Sequence, residues 1–333
     1  MKKEIVGLGV ETSCDETSVA VVKNGREILG LSIHSQIEEH AKFRGVVPEI
    51  ASRSHLLKIQ EVYLDALSQS KLDYRSLDYI AVTVKPGLVG SLMIGGQFAK
   101  TLSVVLGIPL ICSDHVRSHL YAPVLEGFVP EFPFLGLMLS GGNSSIYYVE
   151  SHSEMKCIAD TSDDAIGEAF DKAASLMALS YPGGPAVEKK AREYRGKSKP
   201  LFGKLLKDLP SDKLQFSFSG IKTAVMRAVE KKENHEQICF DFQNTVFELV
   251  ERNLIRAVEM KKIRTVVASG GVLANGNLRQ RLDRLSNQLN IQIIYPDQKL
   301  LCTDNAAMVA ASGFFDFMEG RSCSLSFKVS SKR

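Results

Sequence analysis

The stretch SDHVRSHLYAP at 113–123 sets two imidazoles, His115 and His119, four residues apart. On a helix that spacing puts both rings on one face, one turn from each other. Such a pair can ligate a divalent cation, but two ligands do not hold one. The HExxH motif of zinc proteases needs a glutamate directly after its first histidine, as general base. Val116 stands at that position, and Arg117 is no substitute, so a zincin is disfavoured. Asp304, in CTDNAAM (302–308), precedes a helical stretch and is the candidate third ligand. Two histidines and one carboxylate with open positions suit iron(II), with zinc as the alternative, acting as a Lewis acid on a ligand oxygen. Histidine pairs on helices are also common on surfaces and in cores, and spacing alone does not bring Asp304 to them.

Three glycine-rich turns offer a second chemistry. Ser140, Gly141 and Gly142 lie between two strand-like runs, and glycine lets backbone N–H groups approach an anion closely. Ser13 and Cys14 occupy the equivalent turn near the N-terminus. SGGVLANGN (269–277) sits where a strand passes into a helix, a place for a nucleoside. YPGGP (181–185) is either a helix stop or a surface for a ribose. Each turn taken singly is as well explained by hairpin geometry.

These residues need elements to position them, and the chain supplies them twice. GVETSCDETSVAVV (9–22) and GLMLSGGNSSIYYV (136–149) align without a gap, each reading as strand, small polar turn, strand. Asn24-Gly25 adds a hairpin signal after the first copy. YIAVTVKPGLVGS (79–91) and TVVASGGVLANGNLRQRL (265–282) then each read as strand, glycine turn, helix, with strands GIPLI (107–111) and IQIIYP (291–296) following. Two repeats in one order point to a duplication. Helical periodicity over DDAIGEAFDKAASLMAL (163–179), IKTAVMRAVEKK (221–232) and FDFQNTVFELVERNLIRAVEMKK (240–262) marks an insertion in the second half, about 163–260. An α/β chain of two duplicated lobes, each opening on a hairpin, is by analogy the actin-like ATPase fold of sugar kinases, Hsp70 and actin. The predicted lobes are 1–128, completed by 306–333, and 129–305.

Composition narrows the classes. With 333 residues, 44% apolar and 24% charged, the chain matches ordinary globular proteins, and two lobes suit its length. A net charge of +3 leaves any nucleic-acid surface local. Six dispersed cysteines without a CxxC predict reduced thiols. The most apolar window, 91–111, is interrupted by Gln97, Lys100 and Gly107, which predicts a buried helix and strand and no membrane span.

ETSCDETSVAVV, GGVVPEIASRSH (45–55), PGLVGSL (86–92), HVRSHLYAP, LSGGNSS, DDAIGEAFDKAA, YPGGP, FSFSGIKT (216–223), SGGVLAN and CTDNAAM occur in the order seen in the TsaD family and span nearly the whole chain. The chain resembles that family, once labelled O-sialoglycoprotein endopeptidases. The resemblance implies a tRNA N6-adenosine threonylcarbamoyltransferase, a cytoplasmic enzyme. It would pass the threonylcarbamoyl group of threonylcarbamoyl-AMP to the adenosine 3′ of the anticodon in tRNAs reading codons that begin with A, releasing AMP. It further implies metal ligands at His115, His119 and Asp304, and an adenylate or ATP-type nucleotide at Met138, Leu139, Ser140, Gly141, Gly142, Asp171, Gly184, Glu188 and Asn275. No side-chain nucleophile is implied, because the tRNA amine attacks. Implied partners are a paralogous actin-like subunit and a small P-loop ATPase.

The chain departs from the family pattern in three places. Bacterial relatives usually carry SGGHT where Asn143 and Ser144 stand; many have Asp at Glu188, which puts its ribose contact in doubt; and HxxGH has Ser118 for Gly. Outside the motifs, KKAREYRGKSKPLFGKLLK (189–207) is a basic run suited to tRNA phosphates or simply to solvent. Lys222 is a candidate for an anion, Glu11 and Asp15 for orienting a magnesium or water, and His34, His40 and His55 carry no assigned role. The competing readings are a small-molecule kinase of the same fold, which would not need HVRSH and CTDN, and a non-catalytic scaffold of an RNA-modifying complex.

Overall fold

Val6–Glu11 (β1), Glu16–Lys23 (β2) and Glu27–Ser35 (β3) form an antiparallel meander. Asn24 and Gly25, at φ 53° and 67°, are the central residues of the turn in the second hairpin, closed by the Arg26 N–H donating to the Lys23 carbonyl at 3.1 Å. The chain continues through α1 (Ile37–Ala41), α2 (Pro48–Ser70), β4 (Tyr79–Lys85), α3 (Val89–Leu106), β5 (Leu110–Asp114) and α4 (His115–Leu120). β4 and β5 add in parallel beside β1, giving the strand order β3-β2-β1-β4-β5. The computed structural model describes residues 4–43, 45–196, 199–203, 205 and 214–332.

A second sheet repeats this order. β6 (Phe134–Leu139), β7 (Ser144–Val149) and β8 (Met155–Thr161) form its meander. The insertion follows as α5 (Ile166–Leu176), α6 (Gly183–Ala191), the two-residue β9 (Gln215–Phe216), α7 (Ser219–Glu230) and α8 (His235–Lys261). β10 (Thr265–Ser269), α9 (Gly276–Leu289) and β11 (Gln292–Ile294) complete it. The order β11-β10-β6-β7-β8-β9 is that of the first sheet with β9 appended. The chain ends with α10 (Lys299–Cys302), α11 (Ala306–Met318) and an extended tail.

The first compact unit comprises Met1–Pro130 with Pro296–Arg333, and the second Glu131–Tyr295. Sequence placed 296–305 with the second lobe, whereas it packs in the first unit. The Glu126 carboxylate accepts the N–H groups of Asp297 (2.8 Å) and Gln298 (2.9 Å), fixing the returning chain there. In this unit both faces of the mixed sheet are covered, as its parallel strands β1, β4 and β5 require. Leu8, Val10, Val19 and Val82 pack with Ile59, Val62 and Ala66 of α2 and Ala99 of α3. On the other face Tyr79 and Ala81 pack with Met308 and Val309 of α11, and Ala20 and Val22 with Ala306 and Ala310.

α3 is long and apolar enough to cross a membrane by length and composition, yet Leu92, Gly95, Gly96 and Ala99 are buried within the unit. The expectation of reduced thiols fails at one pair: Cys112 on β5 is disulfide-bonded to Cys323, with Cα atoms 5.9 Å apart. The tail runs along β5, where Cys323 N–H donates to the Leu110 carbonyl at 2.8 Å, and a separation of 211 residues hides this from the sequence. Among the described residues Cys14, Cys157, Cys239 and Cys302 form no disulfide.

Candidate functional site

Three separate stretches build a cluster in the first unit. β5 ends at Asp114, which caps α4 by accepting the Arg117 N–H at 3.0 Å. The helix that follows is six residues long and puts His115 and His119 on one face, with ring centroids 4.7 Å apart. Asp304 arrives from the other end of the chain, and the reason is steric. A Cβ on Gly9 would lie 2.0 Å from the Ala306 carbonyl oxygen, so only glycine lets the start of α11 lie on β1. The Ala306 N–H then donates to Ser18 Oγ at 3.0 Å, and Asn305 caps α11 by accepting from Met308 N–H. Asp304 Oδ1 consequently lies 3.0 Å from His119 Nε2 and 3.6 Å from His115 Nε2. One ligand atom from each of the three residues falls within 4.8 Å of the others.

The electrostatics of the cluster are those of a site built around positive charge. Burial pushes the Asp304 carboxyl up, but the two imidazoles outweigh it and hold the group down at about 2. Burial opposes charge on His115, yet Asp304 and Glu11 raise it to about 9. Burial lowers His119, despite its bond to Asp304, and the neighbouring His115 lowers it further. The donor set of two imidazoles and one carboxylate fits a divalent transition metal. Its second sphere fits as well. His115 Nδ1 lies 3.1 Å from Glu11 Oε2 and 3.1 Å from Ser13 Oγ, which leaves Nε2 for a metal. His119 Nδ1 is buried and makes no hydrogen bond among the described residues.

Sequence reading passed over Glu16. Burial, with Asp15 and Asp304 adding negative charge, pushes its carboxyl up. His55 is accounted for structurally: its nitrogens meet Thr17 Oγ1 at 2.7 Å and the Cys14 carbonyl at 2.9 Å, bracing the turn after β1. His40 is likewise absorbed, between Gln36 Oε1 and the Val47 N–H. His34 lies 3.8 Å from Glu39, near Ser54.

The glycine turns cluster in the second unit. Met138 and Leu139 close β6 with fully buried side chains, so anything they offer a ligand is backbone. Ser140 N–H donates to the Asn143 carbonyl at 2.8 Å, tightening the loop, while a Cβ on Gly141 or Gly142 would meet nothing within 4 Å. The start of α5 is pressed against this loop. Gly167 N–H donates to the Ser140 carbonyl at 3.1 Å and Ile166 N–H to Ser144 Oγ at 2.8 Å. One turn on, Asp171 Oδ1 accepts the Gly183 N–H at 2.6 Å, bringing YPGGP and Gly184 alongside. YPGGP thus opens α6 as well as ending the stretch before it. Glu188 Oε1, on α6, accepts the Gly276 N–H at 2.9 Å and also bonds Arg192. Asn275 caps α9, accepting from Asn277 and Leu278 N–H, and donates to Gln243 Oε1 at 2.9 Å. The stretches that carry the predicted nucleotide residues are therefore linked in series, with Glu188 Oε1 and the Asn275 amide bonded within the protein. Ser144 and Gly167 lie within the LSGGNSS and DDAIGEAFDKAA motifs, but their part as supports of this loop emerges only from the contacts.

The minor candidates fare less well. Lys222 is paired with Asp164 at 2.8 Å, which also holds Lys172. In the basic run, Lys190 bridges Glu193 and Glu236, while Lys197, Lys204 and Lys207 lie outside the described residues.

Comparison with known proteins settles the family. The model of the TsaD family, tRNA N6-adenosine threonylcarbamoyltransferase, matches residues 27–311. The chain belongs to the TsaD family. It is 47% identical over 333 residues to the tRNA N6-adenosine threonylcarbamoyltransferase of Leptospira interrogans (strain Fiocruz L1-130), covering 99% of this chain and 98% of the relative. With that of Clostridium botulinum (strain Kyoto / Type A2) the identity is 42%, covering 98% and 96%. Solved structures share the fold at low identity. HypF of T. kodakarensis superposes with a TM-score of 0.65 at 14% identity, covering 95% of this chain and 48% of that one. Component A of the (R)-2-hydroxyglutaryl-CoA dehydratase of Acidaminococcus fermentans gives 0.56 at 14%, covering 94% and 98%. The TsaD chain described here therefore has the actin-like ATPase fold, with each sheet in the same strand order.

Proposed function

We propose that this chain is a tRNA N6-adenosine threonylcarbamoyltransferase, carrying the threonylcarbamoyl group of threonylcarbamoyl-AMP to the adenosine 3′ of the anticodon in tRNAs that read codons beginning with A. The observation that carries the reading is family membership over nearly the full chain, together with the meeting of His115 and His119 with Asp304, which lies 185 residues beyond His119 in the sequence. A kinase of the same fold would have no use for that triad, and the low-identity neighbours speak for fold alone.

In this reading His115, His119 and Asp304 hold one divalent metal, iron(II) ahead of zinc. Bound there, it would supply Lewis acidity to an oxygen of the activated carbamate. The protein's own groups do the rest. The 140–142 loop presents backbone N–H groups to the phosphate, where preorganised donors contribute roughly 3 kcal/mol each to charge that develops in the transition state. Asp171 and Gly184 flank the ribose. Glu188, through Oε1, and Asn275 also hold the α9 start in place. The attacking amine belongs to tRNA, so no side-chain nucleophile is required: its nitrogen forms the bond to the carbamoyl carbon, the acyl–phosphate C–O bond breaks with its electrons passing to AMP, and the amine's proton goes to the departing phosphate or to water.

The paralogous actin-like partner would cover the outer faces of α2 and α3, where Leu57 is 78% and Val105 72% exposed. The P-loop ATPase and a cytoplasmic location belong to the same proposal. The test is a reaction of purified chain, its partner subunits, unmodified tRNA and supplied threonylcarbamoyl-AMP, read by mass spectrometry of nucleosides. Modified adenosine with the intact chain and none with Asp304→Ala is expected. Modification that persists in Asp304→Ala would refute the metal site, and its absence in every case would refute the transferase.

A further inference from the structure

Glu11 is wholly buried, yet it carries a carboxylate. Each of its oxygens is engaged. Oε1 accepts the Ser13 N–H at 2.6 Å; Oε2 accepts the Thr83 hydroxyl at 2.6 Å and lies 3.1 Å from His115 Nδ1. Among the described residues its one basic partner is His115. Nothing in β1 requires an acid here; the flanking strand positions Leu8 and Val10 are apolar core.

We propose that Glu11 is a positioning residue for the metal centre, setting the tautomer and the plane of the His115 ring. The inference rests on the metal reading of His115, His119 and Asp304. With Glu11 accepting at Nδ1, the hydrogen sits on that nitrogen and the Nε2 lone pair points to the Asp304 side. Glu11 is not itself a ligand, because it meets the ring at the nitrogen remote from Asp304. The carboxylate is held rigid from two sides, by a backbone N–H of the turn after β1 and by a hydroxyl of β4. Thr83 thereby becomes the outermost member of a relay, Thr83 to Glu11 to His115. Ser13 Oγ also touches Nδ1, at 3.1 Å, and is the competing acceptor.

Glutamine cannot replace this carboxylate. With its oxygen at the Oε2 position, its NH2 faces the Ser13 N–H; turned over, its NH2 faces the His115 N–H. Either way two donors meet. Thr83→Val keeps shape and removes one donor to Glu11.

The experiment uses the full chain stripped of metal and titrated with cobalt(II) alone against a competing chelator, following both the dissociation constant and the cobalt d–d spectrum. Outer-sphere partners of metal-bound histidines typically govern affinity by about 10- to 100-fold. Glu11→Gln is expected to weaken cobalt binding by about that factor and to shift the spectrum. Thr83→Val should move both in the same direction by less, and Ser13→Ala should leave them near the intact chain. Wild-type affinity and spectrum in both Glu11→Gln and Thr83→Val, or a loss confined to Ser13→Ala, would overturn the role of Glu11. An intact chain that takes up no cobalt would instead sink the metal reading, and the positioning role with it.

Discussion

Gly167→Ala tests whether the 140–142 loop is the nucleotide cradle. A Cβ on Gly167 would lie 2.7 Å from Gly141 Cα, 2.9 Å from Gly141 N and 2.9 Å from the Ser140 carbonyl oxygen. All three are backbone atoms, so no side chain can swing aside. Carbon–carbon contacts are most favourable at roughly 3.5 Å or beyond, so the loop or the α5 start must retreat by about 0.8 Å. Overpacking of this kind costs about 1–3 kcal/mol of stability. Misplacement near 1 Å at a reacting centre costs up to roughly 100-fold in rate. The retreat also stretches the Gly167 N–H bond to Ser140, now 3.1 Å, which ties helix to loop. AMP affinity, by calorimetry, should fall by about 10-fold or more, while cobalt(II) affinity stays that of the intact chain. Gly220→Ala, whose Cβ would meet nothing within 4 Å, is the control for adding a methyl group to a helix of this unit. Unchanged AMP affinity in a folded Gly167→Ala protein would refute the assignment of this loop to the phosphate.

Metal uptake should release a proton near neutral pH. Metal-free His115 is raised to about 9, and Asp304 is lowered to about 2; apparent cobalt affinity should therefore climb about tenfold per pH unit up to about 9, checked by chelator competition across pH. The same shifts shape the stability of the metal-free chain. The His115 contribution is full below its ordinary 6.5 and lost as pH rises through about 9, while that of Asp304 is full above its ordinary 3.8 and lost as pH falls through about 2. Lowered His119 and raised Glu16 pull the opposite way over the same window, so the His115 and Asp304 shares are read as the pH-dependent difference in urea midpoint between the intact chain and His115→Gln or Asp304→Asn. Asp316, 5% exposed, accepts from Arg117 of α4 and from Arg321 at 2.8 Å, so Asp316→Ala should destabilise the chain by roughly 3–5 kcal/mol in urea titration. Opening the Cys112–Cys323 bond, by dithiothreitol or Cys323→Ser, should lower stability by about 2–4 kcal/mol in the same assay.

What could be read from sequence, and what could not, divides by range. The β-hairpins, the strand-turn-helix repeats and the i, i+4 histidines are local patterns, and each folds as its period requires: residues 9–22 as β1 and β2, residues 115–120 as one helix. The approach of Asp304 to the histidines was not derivable from spacing, because it depends on Gly9 letting α11 lie on β1 and on Ser18 receiving the Ala306 N–H. The family motifs supplied that pairing in advance without supplying its cause. The disulfide escaped because the pairing of the tail with β5 carries no periodic signal. Glu11 was legible only as an acid near a turn. Its partner is 104 residues away, and its meaning lies in burial.

The two chemistries are assembled by different means, and that has consequences for how each can fail. In the first unit the triad joins two residues of α4 to Asp304, just before α11, through a close approach of α11 to β1. A methyl group at Gly9 would displace the whole start of α11, and Asp304 with it. In the second unit the nucleotide residues are linked in series, Ser140 to Gly167, Asp171 to Gly183, Glu188 to Gly276, each link one backbone N–H to one oxygen. A series shares strain among its links, whereas the α11 start is held on β1 and β2 at one tight spot, by the Gly9 contact and the Ser18 hydroxyl. Substitutions along the series should therefore lower nucleotide affinity in graded steps that fall short of additivity, because neighbouring links relax together. Substitutions at the Gly9 contact should remove metal binding outright. Graded loss of cobalt affinity across Gly9→Ala and Gly9→Ser, measured on folded protein, would contradict this reading of how the centre is held.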